Sequence, residues 1–196
     1  MRIRRGDATR SRILDAAEEA FGEHGFHAAS IVEITRRAGV GLGTFYVYFP
    51  SKIEIYRHLL RSHLEDFVRV AREATSGAGD YRAGIRNAFG AFFDWVGDRP
   101  GIMRLLREAE FVDPTLLAEL YAASADEYRR RIEGAMRKGY IAPGDAEVLA
   151  WCVMGMTEIS VLRWLSWPGE KRMDRERFDA FVDILVRTFG VQTADA

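Results

Sequence analysis

Residues 30–52 read SIVEITRRAGVGLGTFYVYFPSK, and the helix signals in this stretch set the architecture of everything around it. Ser30 with Glu33 three residues on is a capping box, which satisfies free N–H groups at a helix start and opens a short helix through Ile34 to Ala38. Gly39 ends that helix, and Gly39-Val40-Gly41 makes a tight turn. Leu42 to Phe49 then form a second short helix, with Phe45 and Phe49 one turn apart on its inner face and Pro50 closing it.

Outward from this pair the same helical grammar continues. Upstream, Ile13, Ala17, Ala20 and Phe21 repeat at helical spacing from Thr9 until Gly25 stops the run. Downstream, Ser51 caps a long helix whose stripe is Tyr56, Leu59, Leu60, Leu64, Phe67, Val68 and Ala71. The weak stretch Ser76-Gly77-Ala78-Gly79 reads as a loop, and helices are predicted near 81–97, 101–110, 114–138, 144–166 and 174–189. Prolines at 50, 100, 114, 143 and 168 fall where helices are punctuated, and the two-residue alternation of strands is nearly absent. The fold class is therefore all-α.

Hydrophobic residues make up 48% and charged residues 29% of 196, the balance of a globular protein with a sizeable core rather than a disordered chain. The longest apolar run, Trp151 to Met156, falls short of the roughly 20 residues that span a bilayer, so no membrane partner is expected. The basic start Met1-Arg2-Ile3-Arg4-Arg5 lacks the apolar segment of a secretory signal. A single cysteine, Cys152, fits a reducing compartment, and a cytoplasmic location is expected. The net charge of −1 hides a mild asymmetry, +2 over residues 1–60 and −3 over the rest. Five of the nine cations in the first part are Arg2, Arg4, Arg5, Arg10 and Arg12, either a solvated terminus or an arm that reaches DNA phosphates.

Two helices joined by a short turn containing glycine are the layout of a helix-turn-helix, whose second helix enters the DNA major groove. Such a helix needs small and hydrogen-bonding side chains near its N-terminus, which Gly43 and Thr44 supply. Tyr46 and Tyr48 offer hydroxyls that reach phosphate oxygens, though half-buried packing would also account for them. Lys52 opens the next helix, where its ammonium and free N–H groups favour an anion. Gly39, Gly41 and Gly43 are not a nucleotide-binding loop, because a helix and not a strand precedes them.

In order along the chain, Ile13-Leu14-Asp15-Ala16-Ala17, Phe21, Gly25-Phe26, Ile34-Thr35-Arg36-Arg37-Ala38-Gly39-Val40 and Gly43-Thr44-Phe45-Tyr46-Val47-Tyr48-Phe49-Pro50-Ser51-Lys52 resemble the DNA-binding head of TetR/AcrR-family transcriptional regulators. The resemblance spans residues 9–60; the remainder matches in length and helicity only. It implies an N-terminal three-helix helix-turn-helix head, a DNA-binding domain of residues 1–52, followed by a helical effector-binding and dimerisation body of residues 53–196. By that resemblance Thr44 and Val47 face bases, Tyr46, Tyr48 and Lys52 face phosphates, and Phe21, Ile34, Val40, Phe45 and Phe49 form a small core. It further implies a homodimer on a palindromic operator of double-stranded DNA, most simply a repressor released by a small-molecule effector, with activating or ligand-independent action left open. The chain departs from the family pattern at Gly41-Leu42, where a capping hydroxyl and a cation are lost, and at Val47, whose methyls suit a thymine methyl.

The segment Val148–Leu165 is apolar nearly all round and is expected to be buried on most faces, and Phe178, Phe181, Val182, Leu185 and Phe189 form a second stripe. These two helices resemble the pair that dimerises family members as a four-helix bundle. A two-fold dimer would present two recognition helices to half-sites roughly 34–36 Å or a multiple apart. Candidate effector contacts are Phe92, Trp95, Met103, Phe111, Tyr128, Met154 and Glu158, each equally readable as packing. Arg107 with Arg104 one turn away would pair an anionic group, such as an acyl-coenzyme A phosphate, or else Glu108 or Glu110; the effector class is thus apolar or acyl-CoA-like. No enzyme is indicated. His24, His27, His58 and His63 show no metal-binding spacing, no nucleophile elbow or phosphate loop is present, and neither catalytic residues, metal nor cofactor are expected. A protein-interaction bundle would leave Gly43-Thr44 and the Tyr/Lys cluster without a purpose.

Overall fold

A computed structural model describes residues 5–99, 101–167 and 173–191. Among the described residues there are nine α-helices: α1 (Arg5–Ala28), α2 (Ile31–Ala38), α3 (Leu42–Tyr48), α4 (Lys52–Thr75), α5 (Tyr81–Gly97), α6 (Ile102–Val112), α7 (Pro114–Arg137), α8 (Ala146–Val161) and α9 (Arg175–Thr188). A single antiparallel bridge, Ile141 to Val191, is the only β pairing among them. The chain is all-α, as its periodicity predicts. Packing divides it into two compact units, Met1–Leu64 with Pro100–Leu117 and Glu65–Arg99 with Ala118–Ala196. These units do not follow the functional boundary expected at 52/53, because the first unit also recruits the start of α4 and the whole of α6.

The first unit is built around the helix-turn-helix. Ser30 is extended and its Oγ accepts from the Glu33 amide at 3.1 Å, which starts α2, while Gly39 at φ 63° closes it in the left-handed region that glycine enters without strain. Glu33 turns its carboxylate to Arg37, at 2.6 Å. Helix α3 begins at Gly41 with no side-chain cap, as the loss of a capping hydroxyl implies. Ile13, Ala17, Phe21, Ile34, Phe45, Phe49 and Ile55 are buried together with Tyr56, whose ring meets Phe21 edge-on at 5.6 Å and Phe26 at 4.9 Å. Tyr56 OH donates to the Leu105 carbonyl at 2.5 Å, and burial, then Glu108 and Asp113, push its ionisation well above the ordinary tyrosine range.

Helix α1 starts at Arg5, one turn earlier than the apolar repeat predicts, and breaks at Gly25 (φ 80°) before one further turn to Ala28. Helix α6 packs on this break. Glu108 Oε2 accepts from the Phe26 amide at 2.6 Å, and Arg104 donates to the carbonyls of Glu23 at 2.7 Å and Gly22 at 3.3 Å. The backbones touch where Gly22 meets Gly101, since a Cβ on Gly101 would lie 2.9 Å from Gly22 Cα. Asp113 joins α6 to α7. Its Oδ1 accepts from the Leu116 amide at 3.1 Å, its Oδ2 from Arg57 Nε at 2.6 Å, and Pro114 follows in the first helical position, where no N–H is needed.

In the second unit α5 packs on α9 through Phe89 and Phe93 against Phe181, with ring centroids 5.6 and 5.3 Å apart, flanked by the ion pairs Arg82–Asp183 and Arg86–Asp179. Helix α8 buries Ala150, Val153, Thr157 and Val161 and runs into a π-helical turn, Leu162–Ser166. Two expectations change here. By length and composition alone, Ala146–Ser166 does suffice to cross a bilayer, and within this unit it buries one face. Nor is it buried nearly all round: Val148, Trp151, Cys152, Gly155 and Ile159 are exposed on one face of the single chain.

Candidate nucleic-acid interface

Helix α3 sits on α2 with Phe45 fully buried and Phe49 just beyond its end buried beside it, 6.1 Å between ring centroids. That anchoring leaves the opposite face outward. Leu42 and Tyr46, one turn apart, are 48% and 51% exposed; Gly43 is exposed and Val47, one turn on, is 79% exposed. Thr44 and Tyr48 flank this face, each half-buried. A Cβ placed on Gly43 would meet nothing within 4 Å, so no neighbour in the chain requires glycine there. Five of the six expected DNA contacts therefore lie on the outward side or the flanks of one seven-residue helix.

Lys52 is placed differently. Its Nζ donates to the carbonyls of Phe26 at 2.7 Å, Ala29 at 2.9 Å and His27 at 3.3 Å, and lies 4.5 Å from the centroid of the Phe26 ring. An ammonium has three donors, and three carbonyls at the end of α1 take them. Desolvation lowers its proton affinity below that of an ordinary lysine. Lys52, expected to face a phosphate, is in the free chain turned to these carbonyls and closes the first helix.

The basic terminus is also less uniform than its sequence. Arg10 turns inward, its guanidinium 5.2 Å from the Phe49 ring centroid and 3.1 Å from His58 Nε2. Arg2, Arg4 and the Arg5 side chain lie outside the described residues. Glu23, His24 and Glu33 converge within 4.8 Å, a grouping the sequence spacing did not reveal. Its centre is filled by Arg37, one nitrogen of which lies 2.6 Å from both carboxylates and 3.4 Å from His24 Nε2. Hydrogen bonds to Arg37 hold both carboxylates below the usual range. The trio is the cage of a guanidinium.

A separate cavity of about 50 Å³ opens in the second unit. Phe67, Val68 and Ala71 of α4 and Ala88, Phe89 and Phe92 of α5 form its apolar wall, and Ser124, Glu127, Tyr128 and Arg131 close it from α7. Glu127 takes Arg131 Nε and an Arg130 nitrogen at 2.8 Å each, and burial pushes the Tyr128 hydroxyl up to about 12. Of the eight expected effector contacts, the cavity gathers two, Phe92 and Tyr128. Met103, Arg107 and Phe111 belong to the first compact unit, with Met103 buried there and Phe111 80% exposed. Trp95 is buried with Arg99 over its ring at 5.1 Å; Met154 and Glu158 lie on α8, where Glu158 accepts from Tyr121 OH at 2.8 Å. Arg104 pairs with Glu108 at 3.3 Å. On α7, Ser124, Glu127 and Arg131 were missed although they share a face with Tyr128 at i, i+3, i+4 and i+7, because that spacing does not reveal which helix faces a void.

The sequence signature of the family described as bacterial regulatory proteins, tetR family, matches residues 13–59, which encompass α2, α3 and the cap of α4. The HTH-type transcriptional activator FasR of Mycolicibacterium smegmatis is 36% identical over 119 residues, 60% of this chain. The match spans only 54% of FasR, little more than half its length. The HTH-type transcriptional regulator UidR of Escherichia coli is 28% identical over 138 residues, 69% of this chain and 70% of UidR. Among solved structures, the fatty acid degradation regulator FadR from Bacillus halodurans has the same fold, with a TM-score of 0.77 at 20% identity over 95% of this chain and 97% of that one.

Proposed function

We propose that the chain is a DNA-binding transcriptional regulator of the TetR family, whose signature its residues 13–59 match, that α3 enters the major groove of a palindromic operator, that two chains bind it as a homodimer, and that a small molecule releases it. The reading is of a regulator rather than an enzyme, and it is supported by relatives that are named transcriptional regulators. The observation that carries the reading is the outward face of α3. Gly43 and Thr44 let the backbone approach base edges, and the hydroxyls of Tyr46 and Tyr48 reach phosphates. DNA binding is assigned to residues 1–52, effector binding and dimerisation to residues 53–196, and the protein to the cytoplasm, where its operator lies.

The apolar cavity supports an effector with a hydrocarbon body. At about 50 Å³ it has room for a few waters, so an occupant would have to widen it. A ligand that binds the widened form better than the closed one shifts the population by that difference in affinity, and the shift is felt at the DNA if the two forms bind DNA unequally. FadR of Bacillus halodurans is named a fatty acid degradation regulator, which supports an acyl-chain effector.

The sign of regulation has two readings. Repression needs only that the dimer exclude polymerase from an overlapping promoter. Activation is favoured by the 36% identity to FasR, which is named an activator. Selection of bound duplexes from random DNA, followed by binding titrations at several salt concentrations, tests the core proposal. An enriched inverted repeat with affinity falling steeply in salt supports it; binding indifferent to sequence and salt overturns it. Transcription in vitro from the selected site then assigns the sign.

A further inference from the structure

We propose that α3 recognises its operator through thymine methyl groups, with Val47 and Leu42 as the specificity-determining side chains. The inference rests on the DNA-binding reading above and deepens it. Between Leu42 and Tyr48 no side chain is a guanidinium, ammonium, amide or carboxylate. The bidentate pairs that read guanine and adenine in the major groove, Arg or Lys on one and Asn or Gln on the other, are therefore unavailable to this helix. What its outward face offers is two i, i+4 pairs, Leu42 with Tyr46 and Gly43 with Val47.

Val47 is anomalous at its place. A β-branched residue loses rotamer freedom in a helix, and one 79% exposed gains nothing from burial in the chain that carries it. Leu42, on the first turn, likewise leaves 48% of its surface exposed. The major-groove feature such side chains can read is the C5-methyl of thymine, an apolar group on an otherwise polar groove floor. Gly43 lies one turn before Val47 and adds no side chain between the helix backbone and the groove floor.

Two of the neighbouring cations are already engaged, while Arg36 on the last turn of α2 is exposed and lies outside α3 itself. Arg37 is held by Glu19, Glu23 and Glu33, and Lys52 by three carbonyls. Hydroxyls remain, on Thr44, Tyr46 and Tyr48; a single hydroxyl both donates and accepts and discriminates weakly between bases. Within α3, discrimination thus falls to the methyls.

The test uses the full-length protein and the operator obtained by selection. Each thymine of a half-site is replaced in turn by deoxyuridine, which removes only the C5-methyl, and affinity is measured by fluorescence anisotropy. At one or two positions per half-site affinity should fall about fourfold, the equivalent of one buried methylene-sized group. In Val47→Ala or Leu42→Ala the corresponding position should become indifferent to the substitution, and 5-methylcytosine for cytosine at a neighbouring non-critical site should leave both proteins unaffected. Specific, salt-dependent binding with no sensitivity to deoxyuridine, or with the same sensitivity in both variants, overturns the methyl readout while leaving the DNA-binding reading intact. Failure to bind any duplex at low salt overturns both.

Discussion

At the scale of single residues, two positions separate what the protein needs to fold from what it needs to bind. Gly43 has ordinary helical neighbours and empty space around its missing Cβ, yet glycine inside a helix is worse than alanine by up to about 1 kcal/mol. Gly43→Ala should leave thermal stability unchanged or slightly raised while weakening operator affinity at least about tenfold, because a methyl there holds the helix off the groove floor. A variant that binds as well as the parent would remove Gly43 from the interface. Lys52 is the reverse case. Lys52→Met leaves three carbonyls without their cation and should lower stability by about 1–2 kcal/mol in urea unfolding. The salt dependence of DNA binding should not change; a slope reduced by about one counterion would restore a phosphate to Lys52.

Among helices, the junction of α6 and α7 shows how one carboxylate fixes an element's start. Asp113 caps α7 through the Leu116 amide and holds Arg57 of α4, and these contacts, the amide first, keep its carboxyl below the usual range. A group whose folded-state pKa is depressed contributes stability above its unfolded pKa and loses it as pH falls through the folded value. Asp113→Ala should therefore be less stable than the parent by about 0.5–2 kcal/mol at pH 7, and the difference should shrink below about pH 4. Equal stabilities at pH 7 would show that the cap is dispensable. The break in α1 follows the same logic, since Gly25 exposes the Phe26 amide and Glu108 of α6 accepts from it.

On the scale of the whole molecule, α8 and α9 each leave large apolar side chains exposed in the single chain. Val148, Trp151 and Ile159 on α8 and Ile184 on α9 are each about half exposed. The double variant Trp151→Glu with Ile159→Glu should sediment as a monomer and bind a two-half-site operator at least about a hundredfold more weakly, since tethering two heads typically multiplies affinity by that order or more. A stable dimer from that variant would move the interface elsewhere.

The sequence by itself determined the helical class, the short pair at Ser30–Phe49 and the outward identity of Gly43, Tyr46 and Val47, with Thr44 and Tyr48 at its flanks, because caps, breakers and the 3.6-residue repeat are local signals. It also located Phe92 and Tyr128 among many aromatics, without separating them from Trp95 or Met103. Only the tertiary structure decided that Lys52 closes α1, that Arg37 fills a cage of Glu23, His24 and Glu33, that α6 joins the unit containing α2 and α3, and that α4, α5 and α7 enclose the cavity. The reason is physical. Helix-forming tendencies act over a few residues, whereas a long side chain's partner and the place of a void depend on which surfaces meet from segments tens of residues apart.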